Sequence, residues 1–421
     1  MNIPKALIIS SVLTLIKASD PYCQAPVPQY VVPDPANSQL IQVISVSRHG
    51  DRSPLAILPH ESSETGLKWE CGLPVSSTVG NTPGYKHEYI APVGLHSSKI
   101  WKGNCTDGQL TMRGGVQCHN MGSALRSIYV DKLGLLPTAY DPTQLYVESS
   151  EFERTRESMM SMMLGFYPPG TRQGQQINYK LQSGKVSQLF PNDALCPRIV
   201  TLWNKNKAQE EWKTRLASLK PILEKLHRIG DTANLPGWST EKSVGSWHDT
   251  LRARACHGLP LPCSSTTGEC VTAEEAQKIF DQADYEAKHL YDGEELQKIG
   301  IGTFAQRLID IFNKTTYLLS SGKNLKDNYY KYLHFSAHDS TIMALMAAFK
   351  NPIVFPPYAS TLIFELWKNP VTNEFMLRML YNGVPVQLPE CSATMCRFEQ
   401  VHDIVYSRLI IRDLDKECFD S

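Results

Sequence analysis

The chain has 421 residues, 42% of them hydrophobic and 20% charged, with a formal net charge of zero. That is ordinary globular composition, enough for one large domain or two smaller ones. A neutral chain offers no general field for nucleic acid or a membrane surface, so any anion recognition must be local.

The first predicted element is a leader. Lys5 precedes an apolar run from Ala6 to Ile16, and the small residues Ala18 and Ser19 follow. That order predicts a secretory signal peptide over 1–19. The run is too short for a good transmembrane helix, and no later segment runs 18 apolar residues. The mature protein is therefore expected to carry no membrane span. All 11 cysteines lie beyond the leader, and none forms a Cys-x-x-Cys pair. Disulfides in an oxidising lumen are the expected use, and the odd count leaves at least one free thiol or one intermolecular bond. Asn104 and Asn313 head two sequons and are glycosylation candidates.

A buried strand is predicted at 40–46, followed by long loops over 55–109. Thr111 then caps a helix whose apolar positions are Val116, Met121, Leu125 and Ile128. A short strand at 144–148 leads into a helix at 151–164, whose methionines read as core packing. From 196 to 325 helical patterns dominate, at 207–228, 273–291 and 303–319, with no convincing strand. Strand character returns at 330–335, followed by a helix at 340–349 and a strand pair at 361–367 and 375–381. The expected fold class is α/β: a mostly parallel central sheet flanked by helices. Residues 20–195 and 326–421 would form the core, and 196–325 an inserted, mainly helical cap.

Three segments share one grammar of strand, polar turn, then helix or loop: 40–54, 144–158 and 331–349. In an open parallel sheet, ligands bind beyond the carboxyl ends of the strands. The turns carry Arg48, His49 and Arg52, then Arg154, then His338 and Asp339. Helix N-termini near 151 and 340 would add partial positive charge beside a bound anion. Arginines on both sides of His49 disfavour a second cation, so its imidazole should stay neutral and nucleophilic. The same arginines form a ready clamp for phosphate. Arg156 lies roughly 200° around the helix from Arg154 and takes a surface position. A lone His-Asp pair or a lone arginine has an ordinary structural explanation. Two arginines, a histidine and an aspartate in five positions after an apolar strand do not.

Arg48-His49-Gly50-Asp51-Arg52-Ser53-Pro54 resembles the signature of the histidine acid phosphatases, with the secreted, lysosomal and prostatic-type enzymes nearest. Leu110-Thr111-x-x-Gly114-x-x-Gln117, Glu153-Arg154-Thr155, Cys196-Pro197-Arg198, Ser336-Ala337-His338-Asp339-Ser340-Thr341 and Pro356-Pro357-Tyr358-Ala359-Ser360 match in the family's order. The resemblance spans roughly residues 40–400. It implies a phosphoglycerate mutase-like core and a secreted or lysosomal acid phosphatase. His49 would carry a phosphohistidine, Asp339 would donate the proton, and Arg48, Arg52, Arg154 and His338 would hold the phosphoryl oxygens. Asp51 would act from behind, orienting an arginine. No cofactor and no metal are implied. The substrate would be a small-molecule or protein phosphate monoester.

The resemblance also implies a Cys196–Cys418 bridge and a Cys391–Cys396 bridge. A third family pair is broken, because Thr361 stands where a partner for Cys256 belongs. That leaves Cys256, Cys263 and Cys270 to rewire among themselves, with Cys23, Cys71, Cys105 and Cys118 unassigned. Three other readings stay open: a phytase-like enzyme of the same family, a metal-dependent phosphohydrolase using His49, Asp51, His338 and Asp339, and a non-catalytic binding protein. The arginines argue against the metal, since they repel a cation. Oligomeric state is left open, with a homodimer among the options.

Overall fold

The structure is a computed structural model. It describes residues 21–33, 38–56, 58–59, 68–72, 105–235, 238, 243–322, 329–351 and 355–419. The leader and Asn104 lie outside these residues. Eight strands form one sheet: β1 (Gln39–Arg48), β2 (Leu145–Ser150), β3 (Lys180–Gln182), β4 (Tyr332–Ala337), β5 (Thr361–Lys368), β6 (Phe375–Tyr381), β7 (Val384–Val386) and β8 (Met395–Arg397). The order is β3-β2-β4-β1-β5-β6-β7, with β8 also on β6. The pairs β3–β2, β2–β4 and β4–β1 are parallel, whereas β1–β5 and β5–β6 are antiparallel.

β1 reads as a near-continuous apolar run because both of its faces are covered. Alternate residues go to opposite cores. Val43 joins Met121 and Leu125 of α1 (Met112–Arg126) and Met159, Met162, Met163 and Phe166 of α2 (Glu153–Phe166). Ile44 and Val46 join the other core with Phe335. Each fully buried side chain of this size contributes about 1.5–3 kcal/mol. The methionine run is therefore packing, as expected.

Between β3 and β4 the elements are all helices: α3 (Arg198–Lys207), α4 (Glu210–Gly230), α5 (Ser243–Cys256), α6 (Ala273–His289) and α7 (Glu294–Ser320). Residues 207–228, expected as one helix, divide across α3 and α4. The helix α7 starts earlier than expected. It packs Ile301, Phe304, Leu308 and Phe312 into the same core as Ile44 and Phe335, so this part of the 196–325 segment lies directly on the sheet. After β4 come α8 (Asp339–Ala348), α9 (Phe398–Arg408) and α10 (Leu414–Phe419). Asn313 is exposed on α7.

The Cys196–Cys418 and Cys391–Cys396 bridges are present. The expected rewiring of three cysteines is corrected. Cys263 pairs with Cys270, but Cys256 pairs with Cys23 across 233 residues. Cys256 ends α5 beside the short turn Pro21–Cys23, a neighbourhood no local pattern reveals. Cys71 pairs with Cys105, and Cys118 is left as a buried free thiol.

Candidate active site

Register brings the three polar turns together. Arg48 lies opposite Ala337, and Ser336 lies opposite both Ser47 and Ser149. The carboxyl ends of β1, β4 and β2 therefore stop level, and His49, His338 and Ser150 meet there. The N-termini of α2 and α8 open at the same edge, with Arg154 and Asp339 in their first turns.

His49 is buried, 2% exposed. Its Nδ1 lies 2.8 Å from the Gly50 carbonyl, which can only accept, so Nδ1 carries the hydrogen and Nε2 keeps its lone pair. Burial first, then the charges of Arg154, Arg48 and Arg52, hold the imidazole neutral far below the usual histidine range. The ring of His338 stands edge-on to His49 at 5.9 Å.

The other expected residues converge on the same place. Arg48 is fully buried, pairs with Asp339 at 3.0 Å, and donates to the Tyr22 hydroxyl at 3.1 Å and to the Pro356 carbonyl. Burial opposes its charge, but Tyr22, Asp339 and Tyr358 outweigh it and raise its affinity for the proton. Arg52 pairs with Asp249 at 2.7 Å, and that carboxylate more than offsets burial to hold its charge. Arg154 lies over the Phe152 ring at 4.8 Å. Burial first, then Arg52, pulls its guanidinium down to about 10, leaving it charged at acid and neutral pH. Arg154, not Arg156, is the helix arginine whose charge acts on His49. The Nε groups of Arg48, Arg52 and Arg154 are all buried without a protein acceptor. With no acceptor among the described residues, these three buried donors at the sheet edge are available to an anion.

His338 hydrogen-bonds Ser150 at 2.9 Å through Nε2, and Ser150 in turn contacts the Thr155 hydroxyl at 2.8 Å. Burial, then Arg154, pushes its ring down to about 3, so it is neutral. Asp339 keeps 23% of its side chain open. Burial raises its carboxyl, but that exposure limits the effect. Arg48 and Arg52 win and hold it below the usual aspartate range.

Asp51 needs a correction. It was expected to orient an arginine. Its carboxylate instead accepts from Thr111 Oγ1 at 2.5 Å and lies 2.6 Å from His257 Nε2. Gln117 Oε1 accepts the Asp51 N–H at 2.9 Å, and Thr111 N–H donates to the Asp51 carbonyl at 3.0 Å. The Leu110–Gln117 motif thus cradles the loop from below. A Cβ on Gly50 would sit 2.4 Å from the Gly114 carbonyl oxygen, so this loop and α1 meet backbone to backbone. Gly114 is held to glycine by the same contact, since a Cβ there would sit 2.1 Å from the Asp51 carbonyl oxygen.

Sequence reasoning missed Tyr22, Asp249 and His257. Tyr22 carries no local signal. Asp249 had one: Val244, Trp247, Leu251 and Ala255 recur at helical spacing and are all buried in α5.

The family model of the histidine phosphatase superfamily, branch 2, matches residues 39–382. Counting factor 60 of Dictyostelium discoideum is 28% identical over 417 residues, covering 96% of this chain and 94% of that protein. Lysosomal acid phosphatase of Xenopus laevis is 27% identical over 409 residues, covering 92% and 80%. A solved phytase from Citrobacter braakii superposes with a TM-score of 0.57 at 17% identity, over 90% of this chain and 99% of that one, which shows the fold. With a neutral buried histidine, three guanidinium groups and an aspartate at one sheet edge, the chain belongs to branch 2 of the histidine phosphatase superfamily and is a phosphatase.

Proposed function

We propose that the protein is an acid phosphomonoesterase working through a phosphohistidine on His49. The observation that carries this reading is the Nδ1 contact with Gly50, which leaves Nε2 of a neutral ring as the nucleophile. In the first step Nε2 bonds to phosphorus and the bond from phosphorus to the ester oxygen breaks. Asp339 delivers the proton that the departing alkoxide needs. Water then attacks the phosphohistidine, Asp339 takes its proton, and inorganic phosphate leaves. Arg48, Arg52 and Arg154 carry the equatorial phosphoryl charge throughout.

The arginines that depress Asp339 set a condition on this cycle. In the empty site Asp339 is ionised, so the proton must come with the ester. A phosphate monoester has a second pKa of about 6, and below it the monoanion brings that proton in. The anion also quenches the arginine field that kept Asp339 ionised. Acid operation follows from the geometry. The five disulfides among the described residues support a secretory route, with a secreted or lysosomal destination.

The test is turnover of aryl and alkyl phosphates from pH 4 to 8 by wild type, His49→Ala and Asp339→Asn. His49→Ala should lose activity on both, and rapid acid-free quench should trap phosphate only when His49 is present. Asp339→Asn should lose ~100–10,000-fold on the alkyl ester and much less on a good aryl leaving group. Wild-type kcat/KM should fall as pH rises through about 6. Turnover persisting in His49→Ala rejects the mechanism.

A further inference from the structure

The helix α5 holds the 48–54 loop at several points. Asp249 Oδ1 accepts from Arg52 Nη1 at 2.7 Å, and Oδ2 accepts the Leu55 N–H at 2.6 Å. Thr250 Oγ1 donates to the Ala56 carbonyl at 3.3 Å. His257, the first residue past the helix, lies 2.6 Å from Asp51. The last residue of α5, Cys256, is bonded to Cys23, and the neighbouring Tyr22 accepts from Arg48 at 3.1 Å. Two clamp arginines are thus held from behind by one disulfide-stapled unit. Asp249 itself is 7% exposed and Arg52 5% exposed, so the pair is desolvated.

We propose that Asp249 is a positioning residue for Arg52, and that α5, stapled to the N-terminal turn by Cys23–Cys256, sets the arginine clamp before phosphate arrives. An arginine on a free loop surrenders rotamer freedom when it binds an anion. Here Asp249 takes one Nη, which fixes the guanidinium plane, while Nε has no protein acceptor. The same carboxylate fixes the backbone at Leu55, so side chain and loop are set by one group. Preorganisation of this kind shows as affinity for the anion, because the ordering is complete before it binds.

The inference rests on the reading of Arg52 as a phosphoryl clamp, and its test separates the two. Inorganic phosphate is used as a competitive inhibitor of aryl phosphate hydrolysis by wild type, Arg52→Ala, Asp249→Asn and the double variant. Asn keeps one acceptor, which can serve Leu55, and replaces the charged acceptor of Arg52 by an amide NH2. The expected result is a rise of about tenfold in the phosphate inhibition constant for Asp249→Asn, a larger rise for Arg52→Ala, and no further rise in the double variant. A purely structural role for Asp249 gives multiplicative effects instead, which overturns the inference. An Asp249→Asn constant within about twofold of wild type, with Arg52→Ala raised, also overturns it while leaving the clamp intact. An unchanged constant in Arg52→Ala removes the clamp reading and the inference with it. Should Asp249→Asn not fold, Asp249→Ser, smaller and still an acceptor, is read the same way.

Discussion

Replacing His334 by Asn should make the protein less sensitive to acid. His334 lies in the middle of β4 and is 0% exposed. Its ring is held between two hydroxyls of β1, Ser45 at 2.9 Å from Nδ1 and Ser47 at 3.4 Å from Nε2. Burial pushes the imidazole down to about 3. An unfolded histidine titrates near 6.5. The folded value is the depressed one. Stability from this group is therefore complete above about pH 6.5 and is lost as pH falls from there toward 3. At 1.36 kcal/mol per unit, about 2 kcal/mol is gone at pH 5 and almost none at pH 7.5. The variant loses some packing at every pH but does not take up the proton when unfolded. Urea unfolding of wild type and variant at pH 7.5 and pH 5 measures the difference. The gap between them should move by about 2 kcal/mol in favour of the variant at pH 5. A gap that is the same at both pH values refutes the reasoning. A chain read as an acid phosphomonoesterase would thus carry a histidine that acid works against. The ring lies in the strand that leads to the site, where among the described residues no carboxylate offsets its burial.

Two further perturbations follow from packing. Gly50→Ala places a methyl 2.4 Å from the Gly114 carbonyl oxygen, so the loop must lift from α1 and carry His49 with it. A displacement of about 1 Å should cost ~100-fold in kcat/KM, with a smaller fall in thermal midpoint, and wild-type kinetics would contradict the close-contact account. Glu365 and Arg378 form a buried pair at 2.6 Å, and Glu365 also accepts from Tyr129 and Trp367. Arg378→Met should destabilise by about 3–5 kcal/mol in urea, and adding Glu365→Leu should recover much of that loss, because the cost lies in the stranded charge.

The convergence of the candidate site residues was legible because they sit on short motifs whose local pattern is strong. An apolar strand followed by Arg48-His49 states both the strand end and the charge, and the same holds for β4 before His338-Asp339. Level strand ends then follow from parallel pairing. The supports were not legible for a different reason. Tyr22 meets Arg48 and Asp249 meets Arg52 across long sequence separations, and neither partner announces itself. Asp51 was misread because a carboxylate beside two arginines invites an ion pair. Its actual partners, Thr111 and His257, come from a helix cap and from the residue after α5. The spacing of α5 was readable, but its low apolar content gave it no prominence among stronger neighbours.

The place of β1 in the sheet has a consequence for biosynthesis. Its two neighbours, β4 and β5, begin at Tyr332 and Thr361, while β1 ends at Arg48. At about 5–20 residues per second, the ribosome needs roughly 15–60 s to supply the first of them. For that interval a strand whose inner residues are all buried in the fold has both edges bare, and the nucleophile at its end has no site around it. Such an edge recruits other strands readily. The nascent chain therefore depends on being held apart from its copies until its C-terminal third arrives, and activity is switched on only by the completed chain.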